Sequence, residues 1–189
     1  MPPSTLRTHP LSATETGHHT ELLYDDGDSD GTAVCAPHGG EVEPGTAEQA
    51  LDLAVRLDAT CWACLGYDEG EAFDCWHPPS TAFDPAEYPL LAEIADRGFD
   101  TVVSLHGLAD GGVLVGGADG ETKGLVARRL DAALDATVET VSTGEYAGAS
   151  PENVVNRLAA GGGVQLEQGP SVRADARGTV VETLADLLQ

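Results

Sequence analysis

Short apolar runs alternate along this chain with longer stretches in which apolar residues recur every three to four positions, and glycine or proline marks most junctions. The runs Thr32 to Pro37, Thr60 to Tyr67, Asp100 to Leu105, Val113 to Val115, Asp135 to Val141 and Gly163 to Leu166 have the β-rich look of strands. Helical spacing predicts helices over Gly45 to Leu57 (apolar at Ala50, Leu51, Ala54 and Val55), Tyr88 to Arg97 ending at Gly98, Glu121 to Leu134, Pro151 to Leu158 behind Ser150, and Thr179 to Leu188. Thr46 is the expected cap of the first helix. Phe73 to Trp76 reads as a hairpin partner of the strand before it. There is no internal repeat. Alternation of strands and helices predicts an α/β fold, a single-domain layered arrangement with a mainly parallel mixed sheet flanked by helices. Sites in such sheets gather beyond the carboxyl ends of the strands.

A length of 189 residues suits one core. The expected division is a polar acidic amino-terminal segment over 1–31 and a single α/β domain over 32–189. Charge sharpens the picture. Acidic residues outnumber basic ones 32 to 9, the net charge is −23, and Lys123 is the sole lysine. Self-repulsion of that size destabilises a compact state in dilute salt, whereas in 1 M salt the screening length falls to about 3 Å. The bias matches proteins of salt-loving cytoplasms, and the expected location is cytoplasmic. No nucleic-acid ligand is expected, because phosphate binding needs clustered lysine and arginine. No apolar stretch approaches the roughly 18 to 20 residues of a membrane span, and Met1 to Thr20 lacks the apolar core of a signal peptide. No membrane partner is expected, and the chain is expected to be a monomer.

Candidate chemistry lies at three strand ends. Thr32 to Pro37 delivers His38-Gly39-Gly40-Glu41-Val42-Glu43-Pro44-Gly45; Asp100 to Leu105 delivers His106-Gly107; Gly163 to Leu166 delivers Glu167. Imidazole nitrogen and carboxylate oxygen are the usual ligands of a catalytic zinc, which takes three protein ligands and keeps one position for water. His38, Glu43 and His106 are therefore the candidate ligands, with Glu41 competing for the place of Glu43. Glu167, not itself a ligand, is the candidate base for an attacking water and the acid for a departing amine. Glycines beside both histidines leave room for a metal and a substrate.

Other motifs have simpler structural readings. Cys61 and Cys64, with Cys75 and His77, have the composition of a structural zinc site, but the pair lies inside a strand-like run, where core thiols are common. Asp25 to Gly31 lacks the glutamate that a calcium loop needs and reads as a solvated turn. His9, His18 and His19 are expected to be exposed. Gly116 to Gly120 precedes a helix but has no lysine or serine where a phosphate loop needs one.

The segment Ala36 to Thr46, carrying His38, Glu41 and Glu43, resembles the poly-γ-glutamate hydrolase family of phages and bacilli. So do Val103-Ser104-Leu105-His106-Gly107 and the closing series Asn156-Arg157, Gly162 to Glu167 and Arg173. The resemblance spans most of the chain. It implies a zinc carboxypeptidase-like fold and Zn2+ as cofactor. It also implies His38, Glu43 and His106 as ligands, Glu167 as general base, and Asn156, Arg157 and Arg173 near the substrate, with an arginine on its carboxylate. The implied activity is hydrolysis of γ-glutamyl amide bonds in a glutamate-containing peptide or polymer. Weighed beside it were a zinc hydrolase of N-acyl amino acids, small peptides or esters, and a non-catalytic phage-related accessory protein of the same fold.

Overall fold

The computed structural model describes residues 4–27 and 31–189. Eight strands form one sheet: β1 Thr5–Ala13, β2 His18–Asp25, β3 Thr32–Gly40, β4 Thr60–Tyr67, β5 Thr101–Gly107, β6 Val113–Gly117, β7 Val138–Thr140 and β8 Val164–Gln168. Their order is β1-β2-β4-β3-β5-β8-β6-β7. The four central strands, β4, β3, β5 and β8, run parallel, while β2 and β6 lie antiparallel to their inner neighbours. The carboxyl ends of β3, β5 and β8, and with them His38, His106 and Glu167, thus open on one rim.

Seven helices cover the sheet: α1 Thr46–Leu57, α2 Ala72–Trp76, α3 Pro89–Ala92, α4 Gly120–Ala133, α5 Val154–Leu158, α6 Pro170–Asp175 and α7 Arg177–Leu188. Residues alternate between the faces of a strand, so each buried strand feeds two cores. Val34, Val103 and Leu166 pack with Leu53 of α1, Leu130 of α4 and Leu184 of α7 on one face. On the other, Trp62 and Val102 pack with Phe83, Leu91, Phe99 and Leu158.

Several elements differ from their expectation. Residues 5–25, expected to precede the domain as a polar segment, form the β1–β2 hairpin, and β2 pairs along β4. The polar residues of β2 are accommodated inside. Glu21 is fully buried and accepts hydrogen bonds from the Trp62 indole (2.9 Å) and from the backbone N–H groups of Leu90 (3.0 Å) and Leu91 (2.9 Å), at the start of α3. His19 is buried too, stacked on Trp76 with ring centres 5.2 Å apart, whereas His9 and His18 are exposed as expected. Phe73 to Trp76 is a helical turn rather than a hairpin strand. The helix expected over Tyr88 to Arg97 closes after one turn, and the chain continues in tighter i→i+3 turns (Leu91 to Ile94, Ile94 to Arg97) that carry Arg97 to Asp25 at 2.8 Å. Thr46 does not cap α1: its buried hydroxyl donates to the Glu43 carbonyl at 2.9 Å, and Gly45 holds the cap position. Asp28 to Asp30, the centre of the acidic turn, lie outside the described residues.

Candidate metal centre

At the end of β3 the register with β4 slips: Ala36 pairs Ala63 but Gly39 pairs Leu65, so β3 carries one extra residue at Pro37-His38. Such a bulge re-aims a side chain, and here it turns His38 toward β5. The chain then reverses through Gly40, whose φ of 72° favours glycine, and the Glu43 N–H donates to the His38 carbonyl at 2.9 Å. Glu43 thereby returns beside His38. Glu41 points elsewhere: it is exposed and accepts from the Asp68 N–H at 3.2 Å. Of the two competing glutamates, the structure brings Glu43 to the histidines.

Three donor groups meet at this point. His38 Nδ1 lies 3.2 Å from Glu43 Oε1 and 3.2 Å from His106 Nδ1, and His106 Nδ1 lies 3.8 Å from Glu43 Oε2. Ligand atoms about 2.0–2.1 Å from a tetrahedral zinc stand about 3.3 Å apart; both His38 distances are close to such an edge, while the 3.8 Å from His106 is longer and runs to the other Glu43 oxygen. The outer atoms are held as well. His38 Nε2 donates to the Pro78 carbonyl at 2.8 Å, which leaves Nδ1 with a lone pair facing inward. His106 Nε2 meets the Ser104 hydroxyl at 2.7 Å, and Glu43 Oε2 accepts from the Gly107 N–H at 2.9 Å. Partners of this kind orient metal ligands.

His77 belongs to the same group. Its Nε2 lies 3.2 Å from Glu43 Oε1, its ring centre is 4.1 Å from that of His38, and Phe73 stacks on its outer side at 4.1 Å. His38, Glu43 and His77 form a group whose ligand atoms all lie within 4.8 Å of one another, and His106 adjoins it through its 3.2 Å contact with His38. The electrostatics fit ligands poised for a cation. Burial opposes charge on Glu43, yet the imidazoles of His38, His77 and His106 around it hold its carboxyl well below the usual range. Burial, with His38 and His77 nearby, lowers His106 to about 4, so its imidazole is neutral and able to ligate.

Glu167 stands across from His106 in the β5–β8 register. Burial pushes its carboxyl up to about 8, with Glu43 and Glu145 adding to the rise. A side-chain relay fixes it: Asn153 Nδ2 donates to Gln165 Oε1 at 3.0 Å, and Gln165 Nε2 donates to Glu167 Oε1 at 2.8 Å. His38, Glu43, His77, His106, Glu167, Gln165 and Asn153 line a cavity of about 810 Å³, together with Tyr146, Ser80, Thr81 and Arg173. Arg173 reaches the cavity past Gly107, where any Cβ would stand 2.8 Å from its guanidinium carbon. Three of its nitrogens donate to backbone carbonyls, of Gln168, Pro44 and Leu108.

Two expected substrate residues are not brought here. Asn156 ties loops together, donating to the Gly148 and Ser150 carbonyls and accepting from Gly163 N–H, and Arg157 donates to the Phe83 carbonyl. Neither lines the cavity. The roles of His77, Asn153 and Gln165 were missed in the sequence. Gln165 alone carried a signal, being two residues before Glu167 on a strand and so on the same face. The structure does not bring the cysteines together: Cys61 packs in one core and Cys64 in the other, on opposite faces of β4, while Cys75 is exposed. The glycine turn before α4 is no anion cradle either, since the Asp119 side chain takes the Glu121 and Thr122 N–H groups.

Comparison with known proteins decides the family. The model for poly-gamma-glutamate hydrolase matches residues 8–177. The chain belongs to the poly-gamma-glutamate hydrolase family. Among the family's curated relatives, the SPbeta prophage-derived UPF0714 protein YoqZ of Bacillus subtilis is 32% identical over 138 residues, and the UPF0714 protein YndL of the same organism is 30% identical over 142. These matches take in 71% and 74% of this chain but 47% and 54% of the relatives, so the chain spans about half their length. A bacteriophage poly-gamma-glutamate hydrolase shares the fold with a TM-score of 0.73 at 23% identity, covering 93% of this chain and 89% of that one. Zinc-free YndL gives 0.74 at 24%, covering 90% and 89%. A metallo-carboxypeptidase from Burkholderia cenocepacia gives 0.55 at 12% identity, covering 97% and 64%. This poly-gamma-glutamate hydrolase family member therefore carries the expected α/β fold, which it shares with that metallo-carboxypeptidase. Among the described residues, no helix is long and apolar enough to cross a membrane.

Proposed function

We propose that this chain is a zinc-dependent hydrolase of γ-glutamyl amide bonds in a peptide or polymer of glutamate, working in concentrated salt. The observation that carries the reading is the meeting of His38 Nδ1, His106 Nδ1 and the Glu43 carboxylate within 3.2 to 3.8 Å of one another, beside a raised, hydrogen-bonded Glu167. Family membership supports the substrate class. His38, Glu43 and His106 would hold the ion, with His77 against the shared carboxylate. When bound, zinc supplies a Lewis acid for the scissile carbonyl and makes water acidic enough to attack near neutral pH.

The remaining work falls to side chains of this protein. Glu167 takes the proton of the attacking water and returns it to the departing amine, a task suited to a carboxyl whose pKa burial has lifted toward the working pH. Gln165 holds the Glu167 oxygen in place, and Asn153 holds Gln165. Arg173, the cation of the cavity wall, has guanidinium N–H groups beyond the three already given to carbonyls and presents them to a substrate carboxylate. The net charge of −23 opposes a polyanion at long range, but molar salt screens that field and leaves local contacts to decide.

Product analysis tests the reading: zinc-loaded protein in high salt is incubated with γ-linked and α-linked glutamate oligomers. Shortening of the γ-linked series alone is expected. Equal cleavage of both series, or of neither, would overturn the substrate class.

A further inference from the structure

Beyond Arg173 the cavity gives onto a second concavity of about 690 Å³, lined by Pro44, Gly45, Pro170, Arg173, Ala174, Arg177 and Gly178. Arg173 lines both. In a chain with 32 acidic and 9 basic residues, this groove is lined by two arginines and no carboxylate; the neighbouring Asp175 does not line it. Most cations elsewhere are engaged: Arg7 pairs with Glu93, Arg56 with Asp52, Arg97 with Asp25, and Lys123 donates to the Gly117 and Val141 carbonyls. Arg177 is exposed at the start of α7 and forms no hydrogen bond or ion pair among the described residues.

We propose that this groove is a second carboxylate subsite and that Arg177 sets the preference for long anionic chains, an inference that rests on the γ-glutamyl reading of the cavity. A γ-linked glutamate chain carries a free carboxylate on every unit, so a unit bound at the metal centre brings its neighbours along the wall. Arg173, pinned by Gln168, Pro44 and Leu108, is the fixed post between the two spaces. Arg177 is the free one. Its planar fork matches a carboxylate bidentately, a short-range contact that survives the salt that screens the field of the whole molecule. On this proposal a two-unit substrate has no further unit to place in the groove.

The test compares kcat/KM for a γ-linked glutamate dimer and a long oligomer in zinc-loaded wild type, Arg177→Gln and Arg177→Glu, at one fixed salt concentration. The preference for the long oligomer is expected to fall roughly tenfold in Arg177→Glu, through KM, and by a smaller factor in Arg177→Gln. An unaltered preference in both variants overturns the subsite. Binding of the long oligomer to Glu167→Gln protein, with and without Arg177→Glu, decides the same question without turnover. Wild type that cleaves neither substrate sinks the hydrolase reading, whereas oligomer binding indifferent to Arg177 sinks the groove alone.

Discussion

His38 Nδ1 and His106 Nδ1 face each other 3.2 Å apart, and the Pro78 carbonyl takes the only proton of a neutral His38 ring at the opposite nitrogen. The lone pair of His38 therefore points at a second imidazole and a carboxylate, an arrangement that a cation or a shared proton reconciles. The bulge in β3 makes this meeting possible, since without the extra residue His38 would follow the ordinary alternation of its strand.

His77 shares Glu43 Oε1 with His38, so it should contribute to metal retention. His77→Ala is expected to weaken zinc binding about 10- to 100-fold, the usual effect of losing a group that orients a ligand. Competition with a chelator measures this, and the visible spectrum of cobalt-loaded protein shows whether the ligand field changes. Wild-type affinity with an unaltered spectrum would remove His77 from the centre.

The amino-terminal hairpin is fastened by Glu21. Glu21→Ala leaves the Trp62 indole and two backbone N–H groups buried without acceptors, each costing about 1–3 kcal/mol. A loss of at least about 3 kcal/mol in urea unfolding is expected. A loss below about 1 kcal/mol would mean that the hairpin contributes little to the folded core.

That hairpin shows where the sequence stops being legible. The central strand ends, and with them His38, His106 and Glu167, are readable because buried parallel strands are apolar runs that leave their first polar residues at the rim. β1 is exposed along almost its whole length, and β2 places His19 and Glu21 at inward positions, so neither shows an apolar face. Their partners, Trp76, Trp62 and the start of α3, are distant in sequence. The same applies to His77, whose loop meets Glu43 across 34 positions of chain. Asn156 and Arg157 were misplaced for the opposite reason: a motif gives neighbours in sequence, while the short helix α5 turns these two toward loop carbonyls and Asn153 toward the cavity.

Glu167 gives the metal-free protein a pH signature. Its folded pKa is raised above the unfolded value, so the folded state holds this proton more tightly. The resulting stability is fully present below about pH 4.3 and is lost as pH rises through about 8. In chelator, Tm should fall over that interval, and Glu167→Gln should flatten the fall. A parallel decline in the variant would place the titration elsewhere.

Cys61 and Cys64 lie on opposite faces of β4 in separate cores. Replacing both with alanine should leave zinc content unchanged while lowering Tm through lost packing. Loss of zinc would show that the thiols hold metal.

The most direct test of the central claim measures zinc content and glutamate release from poly-γ-glutamate together, for wild type, His106→Ala and Glu167→Gln in high salt. The account expects one zinc per chain in wild type and Glu167→Gln and none in His106→Ala. Release should be lost in His106→Ala and slowed by about 10²- to 10⁴-fold in Glu167→Gln. Zinc retained in His106→Ala, or wild-type turnover by Glu167→Gln, would contradict it.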